Sequence, residues 1–415
     1  MRSLLARPAH WPLRTVVGLL IGLMLLAPGN RDLIWANGVG TVYVANEDSG
    51  TVSVIDPHAK ITVEVINVGG TPHALALSSA GDFLYVVNNS TNSLNVIDTR
   101  LQAVIRNIQL PGVPEHIALA ADGKRAYVTI SSKAEVVEID TETGDILKEI
   151  PVKGTPHDIA FSSDGSVLYF TIQNGQAVSS LDIATSQVET ALLEHTRNTY
   201  LATPPTGSYF LVGDSSTDNL QVVDAGTREP LKALTVGMGA VNAVVAADNK
   251  SAFVAQERQN QVIAVNVETG QVTPFGATIA DPWALAITPD GTELYVTSLA
   301  DNVIHVLDTQ SGVLRFTIGL EGQKGPGSIA MLPSAKPGGV AAGESSAPTL
   351  TFTRPRIPLP QSSQMQETSG GGFGNISMPS PQLLVLVPTA GIAIVAGLFI
   401  ARRMKGKQRS ARGPA

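Results

Sequence analysis

The chain has 415 residues, no cysteine, 39 glycines and a formal net charge of −7, with 15% of its residues charged. The lack of cysteine excludes disulfides, thiolate metal sites, cysteine nucleophiles and haem attachment through a C-x-x-C-H motif. Residues 33–332 hold 15 Lys or Arg against 32 Asp or Glu, and so acidic a body repels phosphate backbones, which argues against nucleic acid as a partner.

At the N-terminus, Arg2, Arg7 and Arg14 precede an apolar core from Thr15 to Ala27, then Pro28 and Gly29. That is the pattern of a secretory signal. Ile34-Trp35-Ala36 is the nearest cleavage candidate, so residues 1–36 read as a signal peptide or, uncleaved, as a signal anchor.

From Gly40 onward one pattern recurs seven times. An apolar run headed by an aromatic is followed by a polar break and a second apolar run ending in Asp or Asn. The heads are Tyr43, Tyr85, Tyr127, Tyr169, Phe210, Phe253 and Tyr295. The ends, Asp56 through Asp308, recur at a 42-residue interval. A fixed period of this size marks a repeat architecture. One full unit, Gly70 to Leu110, reads as four short strands: Ala74–Leu77, Phe83–Asn88, Leu94–Ile97 and Ala103–Leu110. Four strands per unit without helical periodicity describe a propeller blade. The Asp or Asn that ends each third strand suits an Asx-turn, whose carboxylate or amide oxygen accepts backbone N–H groups a few residues on. The first unit lacks an innermost strand, and Gly325–Leu332 is an innermost strand with nothing after it. Joining the two predicts an all-β fold over residues 38–332: a seven-bladed β-propeller closed by pairing of N- and C-terminal strands.

The strings YVANEDSGTVSVID, YVVNNSTNSLNVID and VGGTPHALALSSAGDFLYVVN resemble the YVTN family of β-propeller repeat proteins, over nearly all of residues 40–332. The resemblance implies a secreted or surface protein. It also implies fold kinship with haem d1 nitrite reductase, nitrous oxide reductase and the quinoprotein amine dehydrogenase β-chain. The repeat motif is structural and transfers no catalytic residue.

After the repeats, residues 333–381 are rich in Pro, Ser and Gly and read as a disordered tether. Leu383 to Ala401 then gives 19 uncharged residues, about 28 Å as a helix, enough to span a bilayer core. Six basic residues follow in 402–415 with no acidic one, which predicts one C-terminal transmembrane helix with a cytoplasmic tail and the propeller outside, periplasmic or on the cell surface.

Inner strands line a propeller's central channel. Aligning their leads brings His73, Glu115, His157, Thr199, Asn242, Trp283 and Gly327 to one level at the mouth. His73, Glu115 and His157 are of the types that bind zinc or another divalent ion, and a polar ligand-binding mouth is the alternative. Strict strand alternation turns His116 and Asp158 toward the sheet side. His195 and His305 read as isolated. The loops between second and third strands, such as Asn46–Gly50 and Gln256–Asn260, open on the same face and suit a glycan, an envelope protein or a small polar ligand.

No nucleophile elbow, zincin helix or phosphate-cradling glycine loop is present. The sequence therefore favours a membrane-tethered extracytoplasmic binding or scaffold module with no cofactor beyond a candidate divalent metal. The competing class is an enzyme, either a lactonase-like metal-dependent hydrolase or a redox-associated propeller.

Overall fold

A computed structural model describes residues 40–173, 177–189, 199–214 and 217–332. The expected signal (1–36), tether (333–381), membrane helix (383–401) and basic tail (402–415) lie outside these residues, as does His195. Among the described residues no helix is long and apolar enough to cross a membrane.

The described chain forms seven four-stranded antiparallel sheets. Six blades use four consecutive strands, as in blade 2 with Pro72–Leu77, Phe83–Asn88, Ser93–Asp98 and Ala103–Gln109. Blade 1 takes its innermost strand from the far end of the repeats. Pro326–Met331 pairs with Val42–Asn46, setting Met331 opposite Val42 and Ile329 opposite Val44. The ring is thus closed by hydrogen bonding between the earliest and latest strands, as the unmatched ends of the repeats predict. Closure removes two sheet edges that would otherwise be open to pairing with other chains.

The aromatic heads explain why the blades stack. Tyr43, Tyr169 and Tyr295 are fully buried on second strands, and each packs in a cluster shared between neighbouring sheets. Val42, Val44 and Ile55 of blade 1 pack with Tyr295, Ile304 and Ile318 of blade 7. Tyr169 of blade 4 stacks on Phe210 of blade 5 with ring centroids 4.1 Å apart. Burying one such large apolar side chain stabilises by roughly 1.5–3 kcal/mol, so the closing seam is held by side chains as well as by backbone.

The turn-ending residues behave as Asx caps in all seven blades. Asp56 Oδ1 accepts the N–H groups of His58 and Ala59, and Asp140 Oδ1 those of Glu142 and Thr143. The same pair of bonds recurs at Asp98, Asp224 and Asp308, and Asp182 and Asn266 accept the N–H three residues on, from Thr185 and Thr269. These residues bridge the third and outer strands, away from the channel.

The inner strands are not regular, and this positions the site. In blade 3, Pro114 opposes Ile130 and Ile117 opposes Val128, so Glu115 and His116 together face the single residue Thr129. Blade 4 repeats this with His157 and Asp158 against Thr171, and blade 7 with Trp283 and Ala284 against Thr297. Such a bulge breaks the two-residue alternation of side chains and re-aims one of the pair. It overturns the expectation that His116 and Asp158 turn toward the sheet side, because that expectation assumed an unbroken strand.

Candidate metal centre at the channel mouth

Each bulge leaves a backbone N–H without its ladder partner, and a threonine hydroxyl fills the gap. Thr129 Oγ1 accepts the His116 N–H at 3.0 Å, Thr171 Oγ1 the Asp158 N–H at 2.9 Å, and Thr297 Oγ1 the Ala284 N–H at 2.9 Å. Thr129 also donates to the His157 carbonyl at 2.6 Å, so one hydroxyl ties the histidine-bearing strands of blades 3 and 4 together.

The result is a cluster of three imidazoles from three adjacent blades. Ring centroids lie 5.2 Å apart for His73 and His116, 4.8 Å for His116 and His157, and 6.2 Å for His73 and His157. One nitrogen from each ring lies within 4.8 Å of the other two. Three tetrahedral ligands at about 2.0–2.1 Å from zinc would stand about 3.3 Å apart, so modest inward rotation of the rings suffices for coordination.

Carboxylates stand behind two of the rings. His73 Nδ1 is 3.0 Å from Glu47 Oε1, which leaves Nε2 as its free nitrogen. His116 Nδ1 is 3.2 Å from Asp158 Oδ1. Carboxylates in this position fix ring orientation and raise ligand basicity in metal sites. Gly327 makes room for the first of them, since a Cβ there would collide with the Glu47 carboxylate. Among the described residues, His73 Nε2 and His157 Nδ1 are both buried with no hydrogen-bond partner, and a buried polar atom left unpaired is costly unless something binds it. The donor set fits a divalent transition metal on both counts.

Titration behaviour agrees with ligand-competent rings. Burial, and then the charge of His73, pushes His116 down from its ordinary value. Burial, followed by the charge of His116, likewise holds His157 down. Burial also disfavours the His73 imidazolium, but its bond to Glu47 and the charges of Glu47, Glu115 and Asp158 outweigh that and raise it. Burial raises the Asp158 carboxyl against the lowering effect of its backbone donors. Two of the three rings are therefore neutral at physiological pH, the form that binds metal.

The structure places the expected mouth residues unevenly. His73 and His157 both line the cavity at the mouth, with ring centroids 6.2 Å apart. Glu115 is nearby, with Oε2 3.9 Å from His73 Nε2. Its oxygens, however, already accept bonds from Ser131 Oγ at 2.6 Å and Asn89 Nδ2 at 3.2 Å, and His116 supplies the third converging ligand atom. Asn242, Trp283 and Gly327 line the same cavity, of about 360 Å³, together with the three histidines, Asp158, Gln173, Tyr200, Glu257 and Arg258. Thr199 begins the inner strand of blade 5, and its side chain lies outside the described residues. His305 is remote from the mouth and bonds Thr317 through Nδ1 at 3.1 Å.

A family model described as YNCE-like beta-propeller matches residues 9–333. The chain belongs to the YNCE-like β-propeller family. No curated protein matches it. Among solved structures, it is similar to hydrazine synthase from Kuenenia stuttgartiensis, at 20% identity and a TM-score of 0.51 over 57% of this chain and 76% of that one. A functionally unknown protein from Desulfotomaculum acetoxidans aligns at 14% identity and a TM-score of 0.62, over 71% and 99% of the two chains. Virginiamycin B lyase from Staphylococcus aureus aligns at 15% identity and a TM-score of 0.53, over 60% and 84%. At these identities the likeness shows the fold alone.

Two parts of this YNCE-like site escape a reading by repeat alignment. Glu47 sits in the loop of blade 1 and reaches His73 in blade 2, a contact between units that the period does not express. The bulges do leave a trace. Threonine follows the aromatic pair or the Tyr-Val at Thr129, Thr171 and Thr297, whereas Val87, Ala255 and Ala45 stand at the matching places of blades 2, 6 and 1. In those blades the irregularity skips one inner-strand residue rather than two.

Proposed function

We propose that this YNCE-like propeller is an extracytoplasmic, membrane-tethered binding module that holds one divalent transition-metal ion at its channel mouth on His73, His116 and His157. The observation that carries the metal reading is the convergence of three imidazoles, two with buried, unpartnered nitrogens and two backed by carboxylates. Three protein ligands leave a coordination position for an exchangeable partner, and here that position would face the cavity. Topology is supported by the Arg-flanked apolar segment at Thr15–Ala27 and by the uncharged run Leu383–Ala401 followed by six basic residues.

The test is metal analysis of the purified full chain after loading with zinc and removal of free ion. The expected result is one zinc per chain, lost in His116→Ala and in His157→Ala but kept in Glu115→Gln. A metal-free wild type, or full occupancy in His116→Ala, would overturn the assignment. For topology, protease added outside intact cells or spheroplasts should cut within 40–332. Protection there, with cleavage only from the cytosolic side, would refute export.

A further inference from the structure

The wall of the cavity opposite the histidines has a chemistry of its own. Arg258 comes from a short 3₁₀ turn, Glu257–Gln259, in the loop of blade 6, and Trp283 from the bulge of blade 7. Arg258 is exposed and makes no ion pair with any described residue, although the propeller is strongly acidic. Its stem packs against Gly239, whose backbone at φ +85° leaves no room for a Cβ, and the Gly239 carbonyl accepts the Glu257 N–H at 2.9 Å. The guanidinium is thus presented from a braced turn. Trp283 is partly exposed and stacks on no other aromatic ring among the described residues.

The polar groups left over on this wall are mainly donors. Asn242 Oδ1 is engaged by the Leu285 N–H at 3.3 Å, which leaves its amide N–H groups. Asp158, the acidic side chain lining the cavity on the histidine side, is occupied by the N–H groups of Leu201 at 2.7 Å and Ile159 at 2.8 Å and by His116. Glu257, from the same turn as Arg258, also lines the cavity, as does Gln173. A guanidinium fork, amide donors and an indole face in about 360 Å³ fit a small molecule with a planar anionic group and a flat apolar body.

We infer that the cavity binds a small aromatic carboxylate, with the carboxylate on Arg258, the ring on Trp283, and the end nearest the histidines meeting the metal. Only the last contact rests on the metal reading above. The volume is at the low end for ligand pockets, so a single-ring ligand is the expected size.

The experiment uses the zinc-loaded full chain and isothermal titration with phenylacetate and with its neutral counterpart phenylacetamide, with zinc content measured on the same samples. Phenylacetate should bind at least tenfold more tightly than the amide. Arg258→Gln should abolish that preference while zinc content is unchanged, and Trp283→Ala should weaken both ligands. Equal affinity for acid and amide in the wild type, no binding of either, or an unchanged preference in Arg258→Gln would overturn the inference. If the wild type holds no zinc yet keeps an Arg258-dependent preference for the acid, this inference stands and the metal reading falls.

Discussion

Thr129 Oγ1 lies 2.6 Å from the carbonyl oxygen of His157, one blade away, while it accepts the N–H of His116 on its own inner strand at 3.0 Å. A single hydroxyl therefore sets the spacing between two of the three converging imidazoles. The Val isostere keeps the shape and removes both bonds. Thr129→Val should lower stability by about 1–3 kcal/mol, because the His116 N–H and the His157 carbonyl lose a buried partner. It should also weaken zinc binding although no ligand has changed. Denaturant midpoints with and without zinc check both, and an unaltered zinc affinity would show that the hydroxyl only supports the fold.

Asp158 offers a sharper separation of roles. Asp158→Asn retains an oxygen for the Leu201 N–H but loses the charge beside His116 Nδ1. Zinc affinity should fall about 10- to 100-fold, the usual cost of losing a carboxylate behind a metal-binding histidine. Competition with a chromophoric chelator measures this directly.

In the metal-free protein, acid should act in two stages. His116 and His157 have lowered values in the fold, so below about pH 6.5 the unfolded chain takes up protons that the folded chain does not, and stability falls with pH. His73 has the opposite sign. Its contribution is present below about pH 6.5 and disappears as pH rises through its raised folded value, which partly offsets the first stage. The Asx carboxylates Asp140, Asp182 and Asp224 are depressed by the backbone and side-chain donors they cap. Their contribution is present above about pH 3.9 and is lost as pH drops toward their folded values. Thermal midpoints against pH in chelator should show both stages, with His116→Gln flattening the first and Asp140→Asn the second.

Ring closure can be locked covalently because the chain has no cysteine of its own. Ala45 and Ser328 are direct partners across the closing pair, and opposed residues in an antiparallel ladder stand about 4.5–5.5 Å apart at Cα, within disulfide range. The double variant Ala45→Cys with Ser328→Cys should oxidise to one intramolecular bond, visible as a mobility shift on a non-reducing gel. It should gain about 2–4 kcal/mol of stability. Failure to cross-link under oxidation would mean that the two strands are not paired in solution.

Sequence and tertiary structure decide different things here. The 42-residue period, the buried aromatic heads and the Asx caps are local and repeat in every unit, so blade number, strand order and the closing seam follow from the chain read by itself. Of the channel leads aligned from the repeat, His73, His157, Asn242, Trp283 and Gly327 line one cavity. The histidine cluster was not legible as a set. His116 joins the site because a bulge opposite Thr129 breaks strand alternation, Glu47 joins because the loop of one blade overhangs the next, and Arg258 because a turn in blade 6 leans over the mouth. Each depends on how neighbouring blades are set against one another, and a repeat pattern records what is common to the blades, whereas a site is assembled from what differs between them.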